Sequence, residues 1–457
     1  MKEHTENLFE KGSVLHAVIR LGLPSVAGQI ILVIYNMADT YFISLTENEV
    51  MISAVTVSMP AFMVLSALSN LFGVGGGAAF SRALGRNDTE RTEKICCASL
   101  LCCAAAAVIY GILVLVLRDV LLRWLGACDP RMSELSGQYL LITTSAGALF
   151  TALSGYFAHM LRAEGRSGSA CMGVMIGGLI NIALDPVFMF FVFSPERAVA
   201  AVAAATAVSN LLSFLYFAVI IRGRSMLLSF RPRRGAMSSD ILKEIVLTGL
   251  PAFLMTFLEN VSYAVMDNLM AASGVAAQAG IGVAKKINML AHSIVRGLAQ
   301  GVLPLVAYSY ASGDRKRLRR TVRLTYSMAA GISLLILAVY MLLAHQLVDV
   351  FLVPGSDSIA YGTKFLRILC AGCPFSAFAY TIISFFQGVG CSVRSFVLAV
   401  LRKGAIDVPL MFIFGKLVPA FGIATATPAA DLICAVCAGV LLHKWFSRED
   451  SCHKNNL

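Results

Sequence analysis

The sequence predicts an all-α integral membrane protein of about twelve transmembrane helices in two six-helix, pseudo-symmetric halves. Three observations predict it. Of the 457 residues, 58% are hydrophobic and 14% charged, where a soluble domain carries about 25% charged residues. Apolar stretches of the roughly 20 residues that a bilayer core requires recur about twelve times between Val14 and Phe446, divided by short polar breaks. Finally, segments of the first half reappear in the second. RLGLPSVAGQ at 20–29 resembles LTGLPAFLMT at 247–256, so that Gly22, Leu23 and Pro24 match Gly249, Leu250 and Pro251 at a spacing of 227 residues. GVGGGAAFSRALGR at 73–86 resembles GVLPLVAYSYASGD at 301–314, and Arg166-Ser167 echoes Arg394-Ser395.

Six spans per half is an even number, so the halves share one orientation and are related by an axis along the membrane normal. The expected division is an N-lobe of spans 1–6 over residues 1–222, a polar, Arg-rich cytoplasmic linker over 223–242, a C-lobe of spans 7–12 over 243–446, and a cytoplasmic tail over 447–457.

Orientation follows from where the basic excess lies. The formal net charge is +11, which by itself admits nucleic acid as a partner. The basic residues fall instead in every second loop: Arg82, Arg86, Arg91 and Lys94 after span 2, Arg162 and Arg166 after span 4, Arg222, Arg224, Arg231, Arg233 and Arg234 after span 6, and Arg315, Lys316, Arg317, Arg319 and Arg320 after span 8. The alternate loops, such as TENEV at 46–50 and ASGVAAQ at 272–278, carry no positive charge. The positive-inside rule then places both termini in the cytoplasm of a multi-pass cell-membrane protein, and nucleic-acid binding is rejected. The N-terminus, MKEHTENLFEKGS, has no short apolar core with a small-residue cleavage site, so no signal peptide is expected.

Two motifs take a structural reading. Cys96, Cys97, Cys102, Cys103, Cys370, Cys373, Cys434 and Cys437 sit in apolar spans without histidine partners and read as packing thiols rather than metal ligands. Gly75, Gly76 and Gly77 lack the Lys-Ser/Thr of a phosphate loop and read as a close helix crossing.

The ionisable groups inside spans carry the functional signal, because a charge at mid-bilayer costs at least about 2.5–3.5 kcal/mol. They are Asp39 in span 1, Asp185 in span 5, Glu259 and Asp267 in span 7, Lys285, Lys286 and Arg296 in span 8, Asp407 in span 11 and Asp431 in span 12. For Asp267, Lys285, Lys286 and Asp407, pairing with one another or a place near a helix end is as good a reading as function. GLINIALDPVFMF at 178–190 is more specific. Asn181 and Asp185 lie one turn apart on one helix face, and Pro186 withholds the N–H that the Ile182 carbonyl would otherwise receive. Asp39 in YNMADTYF and Thr206 in AAATAVSN can close an all-oxygen site there for a hard cation, and a desolvated carboxyl can hold a proton instead.

At these residues the chain resembles the multidrug and toxic compound extrusion (MATE) transporters. GLPSVAGQIILVIYNMADTYFIS, the glycine-rich end of span 2, LRAEGRSGSACMGVMIGGLINIALDP, GLAQGVLPLVAYSYASGD and FFQGVGCSVRS follow in that family's order. The resemblance implies that Asp39, Asn181, Asp185 and Thr206 form an N-lobe cation site and that Glu259 in FLENVSYAVMD matches a span 7 acid of another branch. The span 10 aspartate of that branch has no counterpart in AGCPFSAFAYTIISFFQ.

The expected function is a cation-coupled antiporter, driven by Na⁺ or H⁺, that exports amphipathic and in particular cationic organic compounds by alternating access. Glu259, Asp39 and Asp185 are the expected substrate contacts. The alternative is a flippase of related fold for lipid-linked oligosaccharide or lipid. No paired-acid or metal motif lies near an interface, so no enzyme activity and no cofactor beyond the coupling ion are expected. The partners are small organic substrates and the bilayer. Two fused halves already supply the cavity that other proteins build by dimerising, so a monomer is expected.

Overall fold

The computed structural model describes residues 7–126, 129–224, 228, 235–352 and 355–454. Helices dominate, and no strand occurs among the described residues. In the first half α1 (Val14–Ser44), α2 (Glu49–Gly85) and α3 (Thr89–Val116) are single long helices, followed by the short α4 (Arg118–Leu125). The fourth span is a pair, α5 (Pro130–Leu140) and α6 (Ala148–Ala163), bent by 53° through a π-helical turn at Leu141–Ala146. α7 (Ser167–Val187) and α8 (Ala198–Arg224) complete this half.

The second half repeats the pattern. α9 (Ser239–Ala271), α10 (Val275–Ala311) and α11 (Arg315–Asp349) are again single helices, and α12 (Asp357–Cys370) with α13 (Cys373–Gly388) forms a span bent by 43°. α14 (Ser392–Val400), a π-helical turn at Leu401–Ala405 and α15 (Asp407–Leu417) make an interrupted eleventh span before α16 (Phe421–Lys454). Nine described helices are long and apolar enough to cross a bilayer, and each bent pair adds one more. The interrupted segment brings the total to twelve. Such breaks belong where backbone groups can be satisfied by neighbouring helices.

α9 starts at Ser239 and α8 ends at Arg224, so helix enters the expected linker from both sides. Arg231, Arg233 and Arg234 lie outside the described residues, as do residues 1–6 and 455–457. At the other end α16 continues into the expected tail as far as Lys454.

The halves meet by exchanging equivalent contacts. A side chain added at Gly249 on α9 would collide with the Leu71 backbone carbonyl on α2, and one added at Gly22 on α1 would collide with the Leu298 side chain on α10. Gly22 and Leu71 are displaced from Gly249 and Leu298 by the same 227 residues as the sequence repeat. This is the reciprocity of a two-fold axis, here acting within one chain. Gly75 likewise accepts no side chain because the Ile245 carbonyl occupies the space, and a methyl at Gly76 would lie 2.7 Å from Ser99 Cβ. The glycine run is a helix crossing, as small residues at membrane interfaces permit.

Charge reinforces this contact. Arg82 on α2 donates to Glu244 on α9 at 3.0 Å, to the Thr248 hydroxyl at 3.0 Å and to the carbonyls of Gln387 and Gly388 at 3.0 and 3.2 Å. Arg91 reaches the other Glu244 oxygen at 2.5 Å. Near the same end of the bundle, Arg317 donates to the carbonyls of Leu8, Glu10 and Gly12, while Phe9 stacks on Tyr308. Arg82, Arg162 and Arg317 are thus buried rather than solvated loop charges. Each lies within the first or last turn or two of its helix, where the neighbouring helix covers it. Beyond Gln29 and Thr256, side chains of both halves line a cavity of about 420 Å³.

Candidate functional site

In the first half, α1, α7 and α8 bring Asp39, Asn181, Asp185 and Thr206 together. All four are at most 2% exposed. Asn181 Nδ2 donates to Thr206 Oγ1 at 3.4 Å, and that hydroxyl donates to the Val202 carbonyl at 3.0 Å. Asp39 faces both Asp185 and Asn181. Asp39 Oδ1, Asn181 Oδ1 and both carboxyl oxygens of Asp185 are buried with no hydrogen-bond partner among the described residues. Four such oxygens are costly, each by about 1–3 kcal/mol when nothing satisfies it. Two carboxyl groups in contact cannot both ionise without a counter-charge. The donor set is all oxygen, which suits a hard cation or a shared proton.

The second half is built differently, because its buried charges are paired. Arg296 Nη1 donates to Glu259 Oε2 at 2.9 Å. Lys285 holds Asp267 at 2.5 Å. Arg402 Nε donates to Asp431 Oδ1 at 2.8 Å, with its guanidinium 4.1 Å from the centre of the Tyr380 ring. Lys403 Nζ reaches Asp407 Oδ2 at 3.2 Å, and Ser262 and Thr427 donate to the same carboxylate at 2.7 and 3.0 Å. Asp267, Asp407 and Asp431 are therefore spoken for by basic partners, the geometry that makes a buried charge tolerable.

Glu259 lines the central cavity with Lys285, Lys286 and Arg296, opposite Asn36, Thr40 and Asn181. Asp39, Asp185 and Thr206 stand behind that wall, so Asn181 is shared between the cluster and the cavity. Such a volume matches a drug-sized ligand.

Comparison with known proteins decides the family. The MatE family profile matches residues 24–187 and again 251–413. The chain belongs to the MatE family. A MatE relative, the multidrug export protein MepA of Staphylococcus haemolyticus (strain JCSC1435), is 27% identical over 451 residues, covering 98% of this chain and 97% of its own. MepA of Staphylococcus aureus (strain MSSA476) is 27% identical over 443 residues, covering 97% and 96%. The outward-facing structure of a multidrug resistance MATE family transporter of the MOP superfamily superposes with a TM-score of 0.90 at 24% identity, covering 98% of each chain. The MatE fold thus spans the whole chain, and the protein is a membrane transporter.

Within this MatE protein, several residues at the site escaped the sequence reading. Tyr35 lies one turn before Asp39, a spacing that could have flagged it, and it lines the central cavity. Tyr139, 1% exposed at the end of α5, faces both Asp39 and Asp185, yet stands in a polar stretch with no visible signal. Arg402 and Lys403, each 1% exposed, form a basic pair inside LAVLRKGAIDVP, flanked on both sides by apolar sequence. That pattern could have found them.

Proposed function

We propose that the chain exports amphipathic organic compounds in exchange for Na⁺ or H⁺, the ion binding at Asp39, Asn181, Asp185 and Thr206 and the substrate in the central cavity. The observation that carries this reading is the set of unsatisfied buried oxygens on Asp39, Asn181 and Asp185, placed directly behind a cavity of ligand size. Asn181 belongs to both, so an ion drawn into the cluster changes the wall that a substrate touches; this is the coupling that antiport needs. Multidrug export, for which the Staphylococcus relatives are named, supports the substrate class.

In this reading residues 1–222 and 243–446 are the two lobes, joined by 223–242 and followed by the tail 447–457. They rock about their glycine-rich contact in a monomeric cell-membrane protein. With both termini cytoplasmic, the end closed by Arg82 and Glu244 faces the cytoplasm and the cavity faces outward. The expected role of Glu259 is to pair either with a cationic substrate or with Arg296 or a lysine of span 8. Glu259 is held by Arg296, so a cation gains that carboxylate only by displacing the guanidinium.

A flippase for lipid-linked oligosaccharide or lipid is the second reading, favoured by Arg162, Lys285, Lys286 and Arg296 around the cavity, since a pyrophosphate group seeks such donors. Proteoliposomes separate the two. Export requires that a Na⁺ or pH gradient drive a fluorescent drug against its concentration gradient. Transfer of a labelled lipid-linked oligosaccharide between leaflets, with no drug movement, would reject export in favour of the flippase.

A further inference from the structure

The cavity is lined by four cationic side chains, Arg162, Lys285, Lys286 and Arg296, and by one carboxylate, Glu259. Two of the cations are already neutralised: Lys285 by Asp267 and Arg296 by Glu259. Arg162 and Lys286, one on each half, have no carboxylate partner among the described residues. We propose that the cavity receives its substrate through an anionic group, a carboxylate, sulfonate or phosphate, anchored at Arg162, with Lys286 adding positive field from elsewhere on the cavity wall.

Arg162 is the stronger observation of the two. It ends α6 with 4% exposure, and its Nε is buried without a hydrogen-bond partner. Its Nη1 lies 3.3 Å from His159 Nδ1, His159 Nε2 lies 3.0 Å from Asn70 Oδ1, and Asn70 Nδ2 donates to Thr256 Oγ1 at 2.9 Å. A guanidinium has no acceptor, so His159 must accept at Nδ1 and donate from Nε2. Every link in this relay then points one way, from Arg162 in the first half to Thr256 in the second. The guanidinium is fixed in place while its charge stays uncompensated. A buried cation in a membrane protein demands a counter-charge, and a ligand in the cavity is in position to provide one. Lys286 is exposed to the cavity on the facing half, with Lys285 beside it competing for Asp267. An anion at Arg162 gains an unpaired guanidinium and the field of Lys286, whereas a cation meets only a carboxylate that is already paired. Zwitterions satisfy the same pattern, with the acid doing the anchoring.

This inference rests on the export reading for its cavity, and the experiment keeps the two apart. Full-length protein in nanodiscs is titrated with fluorescein, an organic anion, and with ethidium, an organic cation. The expected result is that Lys286→Gln weakens fluorescein binding at least fivefold and leaves ethidium within twofold. Arg162→Gln is expected to do the same, with Arg162→Lys retaining part of the affinity. Should Arg162→Gln fail to fold, Lys286→Gln decides alone, because its side chain is exposed. Wild-type protein that binds ethidium but not fluorescein, or that binds neither, overturns the proposal, as does an equal loss of both dyes in Lys286→Gln. Fluorescein that binds as expected but is not moved by a Na⁺ or pH gradient rejects export and leaves the anion subsite standing. Competition by a short-chain polyprenyl pyrophosphate assigns the anion to a lipid headgroup. Failure of that lipid to compete assigns it to a soluble acid.

Discussion

Arg82 on α2 and Glu244 on α9 join the two halves at 3.0 Å, with Arg91 sharing the carboxylate from α3. Removing either partner leaves a largely buried charge facing backbone carbonyls or a lone carboxylate, at a cost of roughly 2–5 kcal/mol. Glu244→Gln should therefore open this end of the bundle. Spin labels at Asn87 and Ser312, both exposed beside the junction, should report a longer and broader distance distribution in the variant. An unchanged distribution would mean that the glycine contacts alone keep the end closed.

The oxygen cluster makes a second prediction. Asp39→Asn and Asp185→Asn should each abolish ion-driven efflux at unchanged membrane abundance, since each removes a charge that the transported ion neutralises. Asn181→Ala and Thr206→Ala remove neutral ligands and should weaken apparent ion affinity by about tenfold, equal to about 1.4 kcal/mol. Wild-type efflux from either carboxylate variant would dismiss the cluster as the ion site.

Glu259 and Arg296 should behave as a unit. Glu259→Gln strands a buried guanidinium and is expected to cost about 3–5 kcal/mol, while Glu259→Gln combined with Arg296→Gln should recover much of that loss. Thermal denaturation in detergent measures the cycle. Additive losses would show that the pair is not energetically coupled.

Glycine replacements test the helix crossing against an internal control. Gly249→Ala drives a methyl into the Leu71 carbonyl, whereas Gly282 on α10 has open space around it. The first change should lower the melting temperature by several degrees, and Gly282→Ala should leave it unchanged or slightly raised. Equal tolerance at both positions would be inconsistent with the packed crossing.

Much of the fold was legible because it depends on local composition and on an internal copy. Apolar length marks a span whatever its neighbours are, and Gly22 with Gly249 needs only one chain for comparison. The buried oxygen cluster was legible for a related reason: Asn181 and Asp185 share a helix face at a spacing that can be read directly. Pairing between distant spans could not be read this way. Arg296 meets Glu259 from 37 residues away, and that meeting depends on how α9 and α10 are rotated about their axes. Arg162 shows the opposite failure. Its place before the polar EGR sequence suggests a solvated loop charge, yet α6 continues through Ala163 and carries the guanidinium under α1 and α7.

The crossing of α2 and α9 also has a mechanical side. About 39 Å of helix separates Gly75, where the halves touch through bare backbone, from the far end of α2 at Glu49. A tilt of about 10° at that short contact, the scale of rigid-body rotations that proteins use, displaces the far end by about 7 Å. Two long levers on a narrow fulcrum thus convert a small angular change into a movement as wide as a fused aromatic ring system. The backbone-to-backbone fit at Gly75 and Gly249 sets the position of that fulcrum, so the reach of any such tilt is set by two residues that have no side chain.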